Sequence, residues 1–195
     1  MVAPSEPIEL AAPARRYVSR GGEKLEAALD EFGVDVSGMR CLDVGASTGG
    51  FTDCLLQRGA VHVVALDVGR GQLDWSLRND ERVTSLESTD VRDAPAIGDV
   101  DLVVADVSFI SLRTVLPYIK ALATGAPIVA LVKPQFEVGR NRVGKGGVVR
   151  DPQLHADAVR DVVERAAAIG LECIRAVPSP ILGAEGNREF FVMLR

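Results

Sequence analysis

Three features of this sequence stand where they could do chemistry: a glycine-rich loop, a series of acids that each follow an apolar run, and a lysine that ends another such run. The loop is Asp43-Val44-Gly45-Ala46-Ser47-Thr48-Gly49-Gly50-Phe51. It leads from an apolar run into a helical pattern, so its glycines let the backbone approach a ligand while the helix start presents free N–H groups. The spacing is neither the dinucleotide G-x-G-x-x-G nor a Walker loop, since no Gly-Lys-Ser/Thr follows, and this disfavours a pyrophosphate ligand. Asp67 closes the next run, 22 residues beyond Gly45, where a carboxylate can accept both hydroxyls of a ribose. Asp90, in Ser-Thr-Asp-Val-Arg-Asp, lies just past the third run and is placed to accept from an adenine amino group. A tight turn and a solvated strand end would account for the loop and for Asp67 taken singly. Their joint placement on consecutive strand ends favours an adenosine-type ligand without a pyrophosphate.

Asp106 ends a fourth apolar run in Val-Val-Ala-Asp-Val-Ser-Phe, and Lys133 ends a fifth in Ala-Leu-Val-Lys-Pro-Gln-Phe-Glu. A lysine at the end of an apolar strand is costly to bury without a partner, and Asp106 on the neighbouring strand is in reach. A structural ion pair explains these two residues as well as a catalytic pair does.

The elements that must position these residues alternate. Aliphatic runs at Arg40–Val44, Val61–Asp67, Arg82–Leu86, Asp101–Ala105 and Ile128–Val132 have strand length, and several are apolar on both faces, as buried parallel strands are. Helical patterns fall at Ser19–Phe32, Gly50–Arg58, Gly71–Leu77, Ser111–Leu122 and Pro152–Ile169, the first with Ser19 as cap and Gly33 as stop. Leu171–Val177 and Glu189–Leu194 have no helix between them and are expected to pair as an antiparallel hairpin at the sheet edge. The expected fold is therefore α/β: a Rossmann-like, mostly parallel, doubly wound sheet of seven strands ending in an antiparallel hairpin. Residues 1–14, with prolines at 4, 7 and 13, read as a tail or linker before one domain over residues 15–195.

Composition narrows the function classes. Of 195 residues, 47% are hydrophobic and 25% charged, the balance of a chain that folds around its own core. Twenty-two Lys and Arg against 27 Asp and Glu leave a net charge of −5, so any nucleic-acid contact has to come from a local patch. The cysteines Cys41, Cys54 and Cys173 show neither disulfide nor zinc spacing, which points to the cytoplasm. No metal site is expected, because His62 and His155 sit on separate elements. No apolar run approaches the roughly 20 residues needed to cross a bilayer, which argues against a membrane-active protein.

The motifs, taken in order, resemble those of the FtsJ-like RNA 2′-O-methyltransferases: Ser19-Arg20 with Lys24-Leu25, Asp43 to Phe51, Asp67, Asp90-Val91-Arg92-Asp93, Asp106, Lys133-Pro134 and Glu189. The runs Gly71-Gln72-Leu73-Asp74-Trp75-Ser76-Leu77-Arg78, Val132 to Gly139, Gly146-Gly147-Val148-Val149 and Asp151-Pro152-Gln153-Leu154 are similar to the TlyA, or haemolysin A, family within that group. The resemblance runs from about Tyr17 to Arg195. It implies S-adenosylmethionine as cofactor, held by Asp43, Gly45, Ala46, Ser47, Thr48, Gly49, Gly50, Phe51, Asp67, Val68, Asp90, Val91 and Asp106. It implies methyl transfer to a ribose 2′-hydroxyl of ribosomal RNA, cytidine in the family's known cases, by a Lys-Asp-Lys-Glu tetrad on Lys24, Asp106, Lys133 and Glu189. A 2′-hydroxyl is a poor nucleophile, so attack on a sulfonium methyl needs a base or an electrostatic clamp, and lysine supplies either. Lys133 is the expected neighbour of the hydroxyl, with Asp106 and Glu189 orienting the two lysines. A small-molecule methyltransferase of the same fold is the nearest alternative enzyme. Family members usually begin with a small S4-like RNA-binding domain, which is not found ahead of Arg15 here, so the expectation is weak RNA capture by the remaining basic groups.

Those groups are Arg15, Arg16 and Arg20 ahead of Lys24, and Arg140, Arg142 and Lys145 in a glycine-rich stretch with four basic residues and no acid over positions 140–150. Both flank an expected catalytic lysine, so they are assigned to RNA phosphates. Phe109 and Phe136 are candidates for stacking on bases or for packing in the core. Trp75 reads as a packing residue.

Overall fold

The computed structural model describes residues 16–195; the tail expected over 1–14, and Arg15, lie outside the described residues. Seven strands form one sheet: β1 (Arg40–Val44), β2 (His62–Leu66), β3 (Val83–Leu86), β4 (Leu102–Ala105), β5 (Ile128–Val132), β6 (Cys173–Pro178) and β7 (Phe190–Leu194), in the spatial order β3-β2-β1-β4-β5-β7-β6. The first five pair in parallel, and β7 runs antiparallel to both its neighbours. Strand order reverses beside β1, which opens a crevice at the carboxyl ends of β1 and β4, the place where such sheets bind ligands.

Burial explains the strand order. β4 and β5 are buried along their whole length, as continuous aliphatic strands covered on both faces must be. The terminal hairpin does form, but its last strand is not at the edge. Phe191, Val192 and Leu194 are fully buried, so β7 sits inside between β5 and β6, while the largely exposed β6 forms the border.

Helices α1 (Arg20–Phe32) and α2 (Gly50–Gln57) cover one face, where Leu25, Leu29, Cys54, Leu55, Phe51 and Phe191 make a common core. Each fully buried leucine there contributes about 1.5–3 kcal/mol. On the other face lie α4 (Leu112–Leu122) and α6 (Pro152–Ala168), packed through Leu116, Ile119, Ala158 and Val162. The expected ends of α1 hold: Ser19 Oγ accepts from Gly21 N–H at 3.3 Å, and Gly33 closes the helix in the left-handed region at φ 67°.

Two expectations change. The helix expected over 71–77 is a single turn, α3 (Trp75–Arg78), because Asp74 takes the capping role by accepting from Ser76 N–H at 2.9 Å. Trp75 on that turn is 78% exposed, so it is not a packing residue; Leu73 and Leu77 do the packing. A further turn, α5 (Pro134–Glu137), follows β5 directly and was not anticipated.

Candidate active site

The glycine loop is shaped first by the protein's own packing. A Cβ on Gly45 would lie 2.6 Å from the Asp106 carbonyl oxygen, one on Gly49 would lie 2.3 Å from a Leu77 methyl, and one on Gly50 would lie 2.1 Å from Ser19 Oγ. These glycines let the start of α1, the start of α2, the α3 turn and the loop after β4 converge on one point. Ser47 bends the loop in the left-handed region at φ 50°. Gly49, the residue before α2, supplies no side-chain cap to the first turn of that helix.

This convergence walls a cavity of about 960 Å³ at the carboxyl ends of β1, β4 and β5. Lys24, Asp106, Lys133 and Glu189 all line it, together with Gly45, Ala46, Ser47, Thr48, Gly50 and Phe51. Lys24 Nζ donates to Glu189 Oε2 at 2.6 Å, and both side chains are almost completely buried. Lys133 Nζ stands 2.5 Å from Asp106 Oδ1 and donates to Ser108 Oγ at 2.8 Å. The two lysines thus line one cavity, each with its own carboxylate, although 109 residues separate them in sequence.

Several elements fix these side chains. Gly50 brings α1 close enough to α2 to aim Lys24 inward. Gly183 has the same role for Glu189, since a Cβ there would lie 2.4 Å from Glu189 Oε1. Two positioning residues carried no signal in the sequence beyond their polarity. Glu137, on the turn after Lys133, is buried and straps that turn to the start of α4, accepting from Ser111 Oγ at 2.5 Å and from Leu112 N–H at 2.8 Å. Its own carboxyl is pushed upward by burial, against the pull of those hydrogen bonds. Asn187, also buried, accepts from Val149 N–H and donates to Gly147 O, both at 2.9 Å, which ties the basic loop to the strand start that bears Glu189. Spacing alone does not reveal either residue, because their partners are distant in sequence.

The remaining expected ligand residues are arranged differently. Asp43 does not line the cavity: it is fully buried under the loop, with Oδ2 accepting from Thr52 Oγ1 at 2.7 Å and Oδ1 without a partner. Burial, helped by the nearby Asp106 and Asp67 carboxylates, pushes its pKa up to about 7. Asp67, Val68, Asp90 and Val91 also lie off the cavity wall. Asp67 accepts from Ser47 N–H at 2.8 Å and from Gly69 N–H at 2.7 Å, one bond on each oxygen, which leaves a lone pair on each for a further donor. Val68 is exposed and Val91 belongs to the core. Asp90 is clasped by Arg92, whose hydrogen bonds bring the carboxyl down to about 2.

Around the cavity mouth, Phe109 is 93% exposed with its backbone at φ 65°, a left-handed conformation that costs a bulky residue about 1–3 kcal/mol. Its ring lies 5.4 Å from that of Phe136, so of the two placements open to Phe109 the structure excludes the core. The basic residues divide as well. Arg20 and Arg140 line the cavity, and Lys145 is exposed nearby. Arg16 is instead paired with Glu26 at 2.7 Å and Arg142 with Asp157 at 2.9 Å, so two of the residues assigned to phosphates already have carboxylate partners. Among the described residues no group of His, Cys, Asp and Glu could hold a metal ion, and no helix is long and apolar enough to cross a membrane.

A seven-stranded sheet with an antiparallel seventh strand beside β5, and a site at its switch point, is the fold of S-adenosylmethionine-dependent methyltransferases. Aeropyrum pernix fibrillarin in complex with S-adenosyl-L-methionine shares that fold at a TM-score of 0.62 and 14% identity, over 90% of this chain and 76% of its own. The FtsJ-like methyltransferase model matches residues 17–195, and the chain belongs to that family. It is 58% identical over 185 residues to the 16S/23S rRNA (cytidine-2′-O)-methyltransferase TlyA of Mycobacterium tuberculosis, covering 93% of this chain and 69% of the relative. The crystal structure of a Lactococcus lactis protein that carries the hemolysin name superposes with a TM-score of 0.88 at 47% identity, over 92% of this chain and 88% of the other.

Proposed function

We propose that this chain methylates a ribose 2′-hydroxyl of ribosomal RNA, on cytidine, with S-adenosylmethionine as methyl donor, and that residues 15–195 form the catalytic domain. The observation that carries this reading is the meeting of two lysine–carboxylate pairs in one cavity beside the glycine loop. The residues present suit the donor. The uncapped start of α2 favours its carboxylate, and the lone pairs left on Asp67 suit ribose hydroxyls. When bound, the donor supplies a methyl group on a positively charged sulfur, which becomes neutral as the carbon–sulfur bond breaks and the oxygen–carbon bond forms.

The chain's own residues do the rest. Lys133, ion-paired with Asp106 and donating one hydrogen bond to Ser108, keeps an N–H with which to hold the 2′-oxygen and to stabilise negative charge on it. The hydroxyl becomes far more acidic as its oxygen gains the methyl, so a carboxylate suffices to take the proton, and Asp106 passes it to water. Lys24, held by Glu189, adds a second positive charge to the cavity lining and favours the phosphates next to the target ribose. Arg20 and Arg140 extend this positive rim, and the Phe109–Phe136 pair offers a face for a base. A ribosomal RNA substrate places the enzyme in the cytoplasm.

The test is mass mapping of ribose methylation in ribosomal RNA incubated with the protein and S-adenosylmethionine. One new 2′-O-methylcytidine, absent when Lys133→Ala replaces the wild type, is the expected result. Label that enters a small-molecule pool and leaves RNA unmodified would overturn the reading.

A further inference from the structure

The loop from Asp106 to Ser111 is pinned at both ends and exposed between them. At one end Asp106 N–H donates to Val44 O at 2.9 Å, which continues the β1–β4 pairing. At the other, Ser111 and Leu112 are fastened by the buried Glu137 carboxylate. The residues between are Val107, Ser108, Phe109 and Ile110, and the left-handed backbone at Phe109 shows that the loop holds a conformation its side chains do not prefer. That conformation does not bury Ser108 or Phe109: both are exposed, and both line the cavity.

Ser108 is the residue of this loop with polar chemistry of its own. Its oxygen accepts from Lys133 Nζ at 2.8 Å, beside the 2.5 Å contact of the same ammonium with Asp106. A hydroxyl that accepts from an ammonium keeps its own proton to donate. Among the described residues Ser108 has no hydrogen-bond acceptor, and its side chain lines the cavity, so that proton is free for a ligand bound there. We propose that Ser108 is a fifth member of the reacting centre, which aims the Lys133 ammonium through its lone pair and donates a hydrogen bond to the substrate nucleotide. This rests on the reading of the cavity as a ribose 2′-O-methylation site.

Counting lone pairs says where that proton goes. The 2′-oxygen has two lone pairs, of which one forms the bond to the methyl carbon and the other, on the proposed function, meets an N–H of Lys133. Nothing remains there for Ser108. Its proton therefore goes to the neighbouring 3′-oxygen or to the phosphate that this oxygen carries. A ribose gripped at both positions presents the 2′-oxygen in one orientation, and orientation of this kind contributes to kcat more than to KM. Ser108 itself exchanges no proton in the reaction; it donates and accepts hydrogen bonds only.

The experiment compares wild type, Ser108→Ala and Ser108→Thr in steady-state methylation of ribosomal RNA, with S-adenosylmethionine affinity by calorimetry and folding by thermal denaturation. The expected result for Ser108→Ala is a fall in kcat of about 10²-fold, the cost of a misplaced reacting group, with KM for RNA, cofactor affinity and Tm unchanged. Ser108→Thr, which keeps the hydroxyl, is expected to recover most of the rate. Wild-type kcat in Ser108→Ala would overturn the proposal while leaving the methylation reading intact. So would a Ser108→Thr variant as slow as Ser108→Ala, or a rate loss matched by loss of cofactor affinity or of Tm. No methyl transfer to RNA by the wild type would overturn both.

Discussion

The two halves of the cleft are built on different plans. On the β4, β5 and β7 side, the charged side chains pair across distant elements, with Lys24 of α1 on Glu189 and Lys133 on Asp106. On the β1, β2 and β3 side, the acids are held by near neighbours in sequence or by the adjoining loop, with Asp67 on Gly69 and Ser47 and Asp90 on Arg92. The first plan fixes geometry through tertiary contacts and encloses Lys24 and Glu189, while Asp106 stays partly exposed. The second holds its acids through backbone N–H groups and a neighbouring arginine and leaves them partly exposed. On the proposed function, the difference teaches that the reacting side is assembled in advance of any ligand, whereas the nucleoside side offers preoriented lone pairs on Asp67 for a ligand to complete.

The largest expected effect tests whether the two sides are separable. Lys133→Ala is expected to lower methyl transfer by about 10²–10⁴-fold or more while calorimetry finds S-adenosylmethionine affinity unchanged. A parallel loss of affinity would merge the two halves into one site.

The two ion pairs of the reacting side can then be set against each other. Lys24→Ala leaves Glu189, 3% exposed, without its partner, and is expected to destabilise the fold by about 3–5 kcal/mol in urea denaturation. Asp106 keeps a route to solvent, its side chain being 23% exposed, so Lys133→Ala should cost far less stability. The double variant Lys24→Met, Glu189→Leu should regain stability and not activity, which separates the structural from the chemical contribution of the buried pair.

On the nucleoside side, Asp67→Ala is expected to weaken S-adenosylmethionine binding by about 1.5–3 kcal/mol, with kcat at saturating cofactor little changed. Unchanged affinity would mean that Asp67 serves only to fold the Ser47 loop.

Asp43 lies beneath the junction of the halves and gives the comparison a pH axis. Its carboxyl is raised from 3.8 to about 7 in the folded protein, chiefly by burial. The native state therefore holds a proton that the unfolded chain releases, and this group's contribution to stability is full below the unfolded value and lost as pH rises toward the folded one. Thermal denaturation should show that fall between pH 4 and 7, and Asp43→Asn should flatten it. An identical pH profile for the variant would place the ionisation elsewhere.

The smallest effects belong to the rim. Arg20→Ala and Arg140→Ala should each reduce the salt slope of RNA binding by about one, while Arg16→Ala and Arg142→Ala should do less, because Glu26 and Asp157 already hold those side chains. Equal slopes for all four would show that RNA breaks the internal pairs.

By itself the sequence determined the periodic and local features. Strand runs, the helix cap at Ser19, the stop at Gly33 and the glycine loop follow from interactions between residues close in the chain, and the structure reproduces them. The Lys133–Asp106 pair was also within reach, because adjacent parallel strands bring their carboxyl ends together. Other features depend on partners far away in sequence, and only the tertiary structure decided them. It placed β7 inside the sheet, exposed Trp75, buried Asp43 and gave Arg16 and Arg142 partners of their own. It also brought Glu137 and Asn187 onto the loops they hold, and put Glu189 on Lys24 across 165 residues where the family resemblance implied only that the two acids orient the two lysines. The physical reason is common to all of these. A buried charge or amide is tolerated only where a partner meets it, and which partner does so depends on how the layers pack and not on any spacing along the chain.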